Sequence, residues 1–150
     1  MPLKPKFWNK DKFSIIALIL TPFSCLYWLL FIIKKKLNKK KKFPIKVMCV
    51  GNIYLGGTGK TPFAIELLSI LKSLGKKPCF VIKNHNLTED ENKLLSKFGS
   101  VFTSSNRRDS VELAHKNGFD VAIMDDGFQD FSLEKNFSFL CFDEKLWIGN

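Results

Sequence analysis

Residues 45–68 read IKVMCVGNIYLGGTGKTPFAIELL, and this stretch decides the fold. It opens with a short, β-branched apolar run of the kind that forms a buried parallel strand. A glycine-rich loop follows at once, and an apolar periodic segment beginning near Pro62 predicts a helix behind it. Proline suits the first turn of a helix, because the N–H groups there have no intrahelical partner to lose. Strand, glycine-rich loop and helix in this order predict a phosphate-binding loop.

The loop GGTGKT supplies the groups that phosphate binding needs. Its glycines let backbone N–H groups turn inward around phosphate oxygens, in conformations that a side chain would block. Lys60 can reach the β- and γ-phosphates of ATP, and Thr61 offers a hydroxyl to Mg²⁺. The predicted nucleotide-binding residues are Gly56, Gly57, Thr58, Gly59, Lys60 and Thr61.

Tyr54 departs from the strict phosphate-loop pattern, which has glycine at that position. The structural alternative is a glycine-rich connection whose lysine is incidental. A glycine-rich turn that carries Gly-Lys-Thr between a strand and an apolar periodic helix is more specific than a lone glycine motif. We therefore favour nucleotide binding.

Two carboxylates follow a second buried strand. The segment DVAIM, residues 120–124, leads directly into Asp125, Asp126 and Gly127. Carboxylates at the carboxyl end of a parallel strand lie where such folds bind ligands. Asp125 or Asp126 is therefore predicted to hold Mg²⁺ directly or through water. The alternative is an ordinary acidic turn closed by Gly127.

A third acidic group, Glu89, Asp90 and Glu91, follows the predicted strand PCFVIK and heads a short helical stretch. One interpretation is helix capping, since the helix dipole favours carboxylates in the first turn. The functional interpretation makes Asp90 the base that accepts a proton from an attacking hydroxyl, with Glu91 supporting the metal. The predicted catalytic residues are thus Asp90 and Lys60, and the predicted metal ligands are Thr61, Glu91, Asp125 and Asp126.

The predicted fold is α/β, a P-loop NTPase-like parallel sheet flanked by helices and preceded by an N-terminal hydrophobic helix. A chain of 150 residues with 45% hydrophobic content supports one compact core plus an appendage. We divide it into a membrane segment, residues 1–42, and a kinase core, residues 43–150. The predicted strands lie at about 46–50, 78–83, 100–103, 120–124 and 137–142.

The apolar run FSIIALILTPFSCLYWLLFII, residues 13–33, has no formal charge and as a helix is long enough to cross a hydrocarbon core of roughly 30 Å. Lysines flank both ends and Pro22 interrupts the run, so a kinked segment in the headgroup region is the alternative to spanning. A cleaved signal peptide is disfavoured, because the run ends in IIKKK without small residues. In either mode the lysine excess favours an anionic membrane surface.

The formal net charge of +10 belongs to the amino-terminal segment. Residues 1–46 contain twelve Lys and one Asp, whereas residues 47–150 are nearly neutral. A nucleic-acid binder would carry its basic surface on the folded domain with aromatic residues interleaved. We therefore do not expect a nucleic-acid partner.

The cysteines lie inside apolar runs and show no metal-ligand spacing. They are predicted to be buried small hydrophobes in a reducing compartment, which places the soluble part in the cytoplasm. They are Cys25, Cys49, Cys79 and Cys141.

With GNIYLGGTGKTP at 51–62, DDGFQ at 125–129 and a Lys-flanked apolar amino terminus, the chain resembles the lipid A 4'-kinase (tetraacyldisaccharide 4'-kinase) family over residues 7–150. The family's loop GNxxxGGTGKTP also lacks the first glycine of the strict pattern. Its DDG-[LF]-Q-H corresponds to residues 125–130, with Asp130 where histidine is usual. Its Gly-Asp-Glu corresponds to Glu-Asp-Glu at 89–91, which keeps the aspartate and the final glutamate but has glutamate in place of glycine.

The resemblance implies a kinase that uses ATP and Mg²⁺ to phosphorylate the 4'-hydroxyl of tetraacyldisaccharide 1-phosphate. It also implies an acylated disaccharide lipid and an anionic membrane surface as partners, at the cytoplasmic face of the inner membrane. The family's Arg/Lys-Gly-Tyr-Gly turn appears here as Lys-Asn-His-Asn at 83–86, and the segment after it is nearly absent. The family also continues beyond WIGN at 147–150 with a second half, so a fragment or a poorly active remnant is one expectation.

Two alternatives stay open. The first is a membrane-targeted regulatory P-loop ATPase of the deviant-Walker class, which is disfavoured by Leu55, where such proteins usually carry lysine, and by the acidic segment DDGFQ. The second is a truncated or inactive nucleotide-binding membrane protein.

Overall fold

The computed structural model describes residues 15–52, 59–83 and 89–142, the side chains of Ala17 and Glu89 excepted. The chain alternates strands and helices after one long amino-terminal helix, as the βα pattern of the sequence predicts. The elements are α1 Ile15–Leu37, β1 Lys46–Asn52, α2 Lys60–Ser73, β2 Pro78–Lys83, α3 Glu89–Leu95, β3 Val101–Ser104, α4 Arg107–Lys116, β4 Val121–Asp125 and β5 Phe137–Cys141.

The five strands form one sheet in the order β3-β2-β4-β1-β5. Every pairing in it is parallel. β1 lies between β4 and β5, and the register places Val50 beside Asp125. The predicted α/β fold with a parallel sheet is confirmed, and each strand begins and ends within two residues of its predicted bounds.

Both faces of the sheet are buried at β1, β2 and β4, which is why these strands appear in the sequence as continuous apolar runs, while the edge strands β3 and β5 are partly exposed. Alternate residues of β2 point to opposite faces: Phe80 and Ile82 belong to one core cluster, and Cys79 and Val81 to the other. The first cluster includes residues of α2 and Leu95 of α3; the second includes Val111 and Ala114 of α4.

Helix α2 begins immediately after Gly59, whose φ of 76° lies in the left-handed region that glycine adopts without strain. Its buried residues recur at helical spacing and cover one sheet face. They are Ala64, Leu67, Leu68 and Leu71. Because α2 packs on β1, β2 and β4, its amino terminus is fixed at the carboxyl edge of the sheet.

Helix α1 leaves its apolar side chains exposed and continues through Pro22 without a break in the helix assignment. Residues 18–37 have the length and apolar composition needed to cross a membrane, and none of this window is buried inside the protein. A core helix of a soluble domain would be mostly buried. The expectation that all four cysteines are buried is confirmed for Cys49 and Cys79. It was wrong for Cys25, which is exposed because no layer of the core covers α1, and Cys141 on the edge strand β5 is only partly buried.

A connecting segment, residues 38–43, ties α1 to the core. Lys41 N donates to Ser132 O at 3.0 Å and Glu134 N donates to Lys41 O at 2.9 Å, which forms a short parallel bridge. Arg108 of α4 donates to both sides of this bridge, to Lys39 O at 2.8 Å and to Ser132 O at 2.7 Å. The lysine-rich sequence gave no indication of this contact.

Candidate nucleotide and magnesium site

The site lies where β1 and β4 end side by side. In a parallel sheet all carboxyl ends meet at one edge, so the residues after β1 and those after β4 emerge together. β1 ends at Asn52, shortly before the start of α2, and β4 ends at Asp125. We call residues 125–128 the acidic loop. Fold topology alone therefore brings the acidic loop and the amino terminus of α2 together.

Two hydrogen bonds of equal length join these elements. Lys60 Nζ lies 2.9 Å from Asp126 Oδ1, and Thr61 Oγ1 donates to Asp125 Oδ2 at 2.9 Å. Both donors belong to the first turn of α2, and both acceptors are carboxylates at the end of β4. The structure thus places the lysine and hydroxyl of the glycine-rich motif on the two aspartates predicted from the second motif.

Asp125 is only 6% exposed. Burial raises the pKa of its carboxyl group, and the hydrogen bond from Thr61 and the charge of Lys60 offset this only in part. Its Oδ1 atom is buried and has no hydrogen-bond partner among the described residues. Such an orphaned carboxylate oxygen is costly unless another group binds it.

These residues fit a magnesium ion by the chemistry of their donors. Mg²⁺ binds hard oxygen ligands, keeps several waters, and in nucleotide sites takes one or two carboxylates together with substrate phosphates. The Thr61 hydroxyl and the Asp125 carboxylate, with its unpartnered oxygen, supply such ligands. Within residues 15–52, 59–83 and 89–142 no cluster of three or more His, Cys, Asp or Glu side chains forms a ready-made ion cage. A site of this type does not need one.

Asp126 adopts a left-handed backbone conformation with φ of 52°. Aspartate is among the few non-glycine residues that visit this region, so the position is noteworthy. Its side chain is 68% exposed, while that of Lys60 is 21% exposed. The turn directs the second carboxylate outward from the sheet edge toward Lys60.

The third acidic group lies at the first turn of α3. Burial raises the pKa of Glu91, and the negative charges of Asp125 and Asp126 raise it further, while Lys60 lowers it. Glu91 is therefore within electrostatic range of both predicted metal carboxylates. Asp90 is exposed in the same turn, and its role as base stays a prediction.

Some predicted residues lie outside the described part of the chain. Gly56, Gly57 and Thr58 belong to residues 53–58, and the turn at 83–86 is described only at Lys83. The nucleotide-binding role of the loop therefore stays a prediction for these positions. Gly59, Lys60 and Thr61 are described and lie at the start of α2 as the motif requires.

Sequence reasoning missed two cations at the site, Arg107 and Lys135, which donate to backbone carbonyls of the acidic loop. Arg107 carries a usable signal, because it opens the helix after β3 and so starts at the same sheet edge. Lys135 precedes β5 and has no local signature. Asp130, noted only as a departure from the family pattern, pairs with Arg107 at 3.6 Å.

A parallel sheet that leads from β1 into a helix opening with Lys-Thr, beside an aspartate at the end of the adjacent strand, defines a protein of the P-loop kinase fold. The model of one family, described as tetraacyldisaccharide-1-P 4'-kinase (LpxK), matches residues 16–89 and 83–150. The chain belongs to this family.

Curated relatives and a solved structure agree. A tetraacyldisaccharide 4'-kinase of Pelagibacter ubique is 44% identical over 147 residues, covering 98% of this chain and 46% of the relative. One from Rickettsia canadensis is 34% identical and covers 99% of this chain and 50% of its own length. The crystal structure of LpxK from Aquifex aeolicus in complex with ATP is 29% identical with a TM-score of 0.72, covering 87% of this chain and 50% of that one. The chain spans about half the length of these relatives.

Proposed function

We propose that this chain forms the ATP- and magnesium-binding part of a kinase that phosphorylates the 4'-hydroxyl of tetraacyldisaccharide 1-phosphate. The observation that carries the proposal is the pair of 2.9 Å contacts that join Lys60 to Asp126 and Thr61 to Asp125. P-loop phosphotransferases use such a lysine for the terminal phosphates, and such a hydroxyl and aspartate for magnesium. Family membership supports the acceptor, since the relatives are named for it.

Each residue has a distinct role in this proposal. Residues 56–61 surround the phosphates with backbone N–H groups, and Lys60 neutralises the charge that is transferred. Bound magnesium would neutralise phosphate charge, and its ligands in this chain are Thr61, Asp125 and Asp126, with Glu91 in support. Asp90 accepts the proton of the acceptor hydroxyl.

Residues 1–42 are proposed to hold the core, residues 43–150, at the cytoplasmic face of the inner membrane. The apolar surface of α1 is exposed, and Lys34, Lys35 and Lys36 form its last turn. Apolar helices with basic ends bind anionic bilayers. An acylated disaccharide resides in the same bilayer, so this anchor supports a lipid acceptor.

Replacement of Lys60 by alanine tests the proposal. We expect Lys60→Ala to weaken Mg²⁺-dependent ATP binding roughly 10- to 100-fold, because a charge-assisted hydrogen bond to phosphate is worth about 1.5–3 kcal/mol. In a complete enzyme, which also contains the second half present in the relatives, we expect the same change to abolish transfer of labelled γ-phosphate to tetraacyldisaccharide 1-phosphate in anionic vesicles. Sedimentation with the vesicles should be unchanged, since Lys60 is far in sequence from α1.

Lys72→Ala is the matched control, because Lys72 lies on the same helix and donates to Phe98 O, away from the acidic loop. It should bind ATP like the unchanged chain. Equal ATP binding by the Lys60 and Lys72 variants would refute the phosphate-loop assignment. Normal Mg²⁺-dependent ATP binding without any transfer by the complete enzyme would favour a nucleotide-binding membrane protein instead of a kinase.

A further inference from the structure

Two cations from different parts of the chain hold the backbone of the acidic loop. The first is Arg107, at the start of α4, whose Nη2 lies 3.0 Å from Asp126 O and 3.4 Å from Asp125 O. Its Nη1 pairs with Asp130 Oδ2 at 3.6 Å, and the two side chains are 13% and 16% exposed. The guanidinium is thus fixed from both sides in a largely buried position.

The second cation is Lys135, just before β5. Its Nζ donates to Gly127 O at 2.7 Å and to Phe128 O at 2.9 Å. Burial lowers the pKa of Lys135, and the charge of Arg107 lowers it further. Together the two cations contact four successive carbonyls, those of residues 125–128. We call Arg107 and Lys135 the carbonyl clamp.

The clamp acts on the backbone and leaves the carboxylate oxygens to other partners. Asp126 Oδ1 accepts from Lys60 and Asp125 Oδ2 accepts from Thr61, although Arg107 lies beside both aspartates. A further cation on these carboxylates, in addition to Lys60 on Asp126, would compete with a metal ion. Cations on the carbonyls instead reduce the repulsion between adjacent carboxylates without occupying them.

The conformation of the loop also needs support. Asp126 has φ of 52°, which residues other than glycine adopt rarely and which persists when surrounding contacts enforce it. Phe128 lies over Gly51 of β1 so closely that a Cβ at position 51 would collide with its ring. The loop is therefore held against β1 by packing and fixed in orientation by charged donors.

We infer that Arg107 and Lys135 are positioning residues, which hold the acidic loop so that the carboxylates of Asp125 and Asp126 meet magnesium and the nucleotide phosphates. The inference rests on the proposed function for its magnesium part. The geometric part, that the clamp orders residues 125–128, stands independently of any ligand. Contacts that orient metal ligands typically change metal affinity 10- to 100-fold when they are removed.

The first experiment measures backbone hydrogen exchange over residues 125–130 in the purified chain without nucleotide. Lys135→Met and Arg107→Gln remove the charge, and each should accelerate exchange in this segment at least about tenfold. Lys135→Arg should restore protection, because it again supplies a cation with several donors. Unchanged exchange in both charge-removing variants would overturn the inference that the carbonyl clamp orders residues 125–128.

The second experiment titrates Mg²⁺ against binding of a ribose-labelled fluorescent ATP analogue. Both charge-removing variants should raise the Mg²⁺ midpoint about 10- to 100-fold while binding without Mg²⁺ stays within about twofold. A purely structural role would weaken binding with and without Mg²⁺ alike, and that result would overturn the positioning role.

Arg108→Gln is the matched control, since Arg108 is the next residue and contacts Lys39 O and Ser132 O instead of the acidic loop. Its Mg²⁺ midpoint should equal that of the unchanged chain; an equal rise in all three variants would overturn the inference. Absence of Mg²⁺-dependent binding in the unchanged chain would overturn the proposed function together with the magnesium part. Accelerated exchange in the clamp variants would then still support the geometric part.

Discussion

Burial raises the pKa of the Asp125 carboxyl group, because desolvation outweighs the hydrogen bond from Thr61 and the attraction of Lys60. A folded-state pKa above that of the unfolded chain means that ionised Asp125 costs folding free energy at neutral pH. The cost disappears as the pH falls below the raised folded-state value, where the buried carboxyl group becomes protonated. In this proposal the residue is retained for metal binding at the expense of stability.

Asp125→Asn is expected to raise the free energy of unfolding at pH 7 by about 1 kcal/mol in EDTA, because it removes a buried charge with an unpartnered oxygen. The corresponding rise in Tm is about 2–8 °C for a domain of this size. The same variant should lose the extra stability that Mg²⁺ and ATP give the unchanged chain. Thermal unfolding with and without Mg²⁺-ATP measures both effects.

In EDTA, the difference in free energy of unfolding between Asp125→Asn and the unchanged chain should shrink as the pH is lowered from 7 toward 4. The carboxyl group of the unchanged chain becomes neutral over this range. Asp120→Asn serves as control: Asp120 lies just before β4 at its opposite end and accepts a hydrogen bond from Lys77 N. A lower Tm for Asp125→Asn in EDTA at pH 7 would show that ionised Asp125 is not a burden on folding.

Among the individual residues of the site, the sequence motifs predicted the phosphate and magnesium ligands but not the two cations that contact the acidic loop. Lys60, Thr61, Asp125 and Asp126 were predictable because each lies in a short run whose chemistry is local. For Arg107 only its location at the sheet edge was predictable; its partners were not, because they are backbone carbonyls at the end of another strand. A carbonyl has the same chemistry in every residue, so the sequence does not mark it as a partner.

Among the elements, α4 has the clearest start signal. Asn106 precedes the helix in an extended conformation, and its Oδ1 accepts a hydrogen bond from Asp109 N at 2.9 Å. This side chain satisfies one of the backbone donors that every helix leaves unpaired at its amino terminus. The cap also fixes the residue that follows it, Arg107.

Asn106→Ala should lower the free energy of unfolding by about 1 kcal/mol, within the range known for lost helix caps. Asn106→Ser should retain most of this stability, because a serine side chain also caps helices. Urea unfolding of a soluble form of the chain that lacks α1 gives the two values. Equal stability of the alanine and serine variants would show that the cap contributes nothing measurable.

The strands were predictable because both sheet faces are covered, so β1, β2 and β4 appear as uninterrupted apolar runs. The strand order was not predicted. β1 pairs with β4 and β5, which lie dozens of residues away in the sequence. The residues of a strand do not indicate which other strand it will pair with. The bridge between Lys41 and Leu133 was missed for the same reason.

For the whole molecule, the connecting segment is bonded to the core, whereas the helix that we propose binds the membrane is exposed. Helix α1 is exposed, whereas residues 38–43 form hydrogen bonds with Ser132, Glu134 and Arg108. Lys41 also pairs with Glu112 of α4 at 2.8 Å, although an exposed pair of this kind contributes little.

Two deletions should therefore differ in one property. Removal of residues 1–37 and removal of residues 1–42 should both release the chain from the membrane fraction. Only the longer deletion should lower the free energy of unfolding, by roughly 1–3 kcal/mol, because it removes backbone hydrogen bonds to the core. Urea unfolding of the two soluble forms measures the difference, and flotation on anionic vesicles measures the release.

Equal stability of the two deletion forms would mean that the connecting segment only tethers α1. Continued flotation of the shorter deletion form would show that a surface outside α1 binds lipid.

The strand order also sets a sequence of events during synthesis. β4 lies between β2 and β1, so the strand that leads into the phosphate loop has no neighbour on that side until residues 121–125 have left the ribosome. The apolar helix at residues 15–37 emerges much earlier. Under the proposed function, α1 is therefore available to a bilayer before β4 can bring the acidic loop beside α2 and complete the nucleotide site.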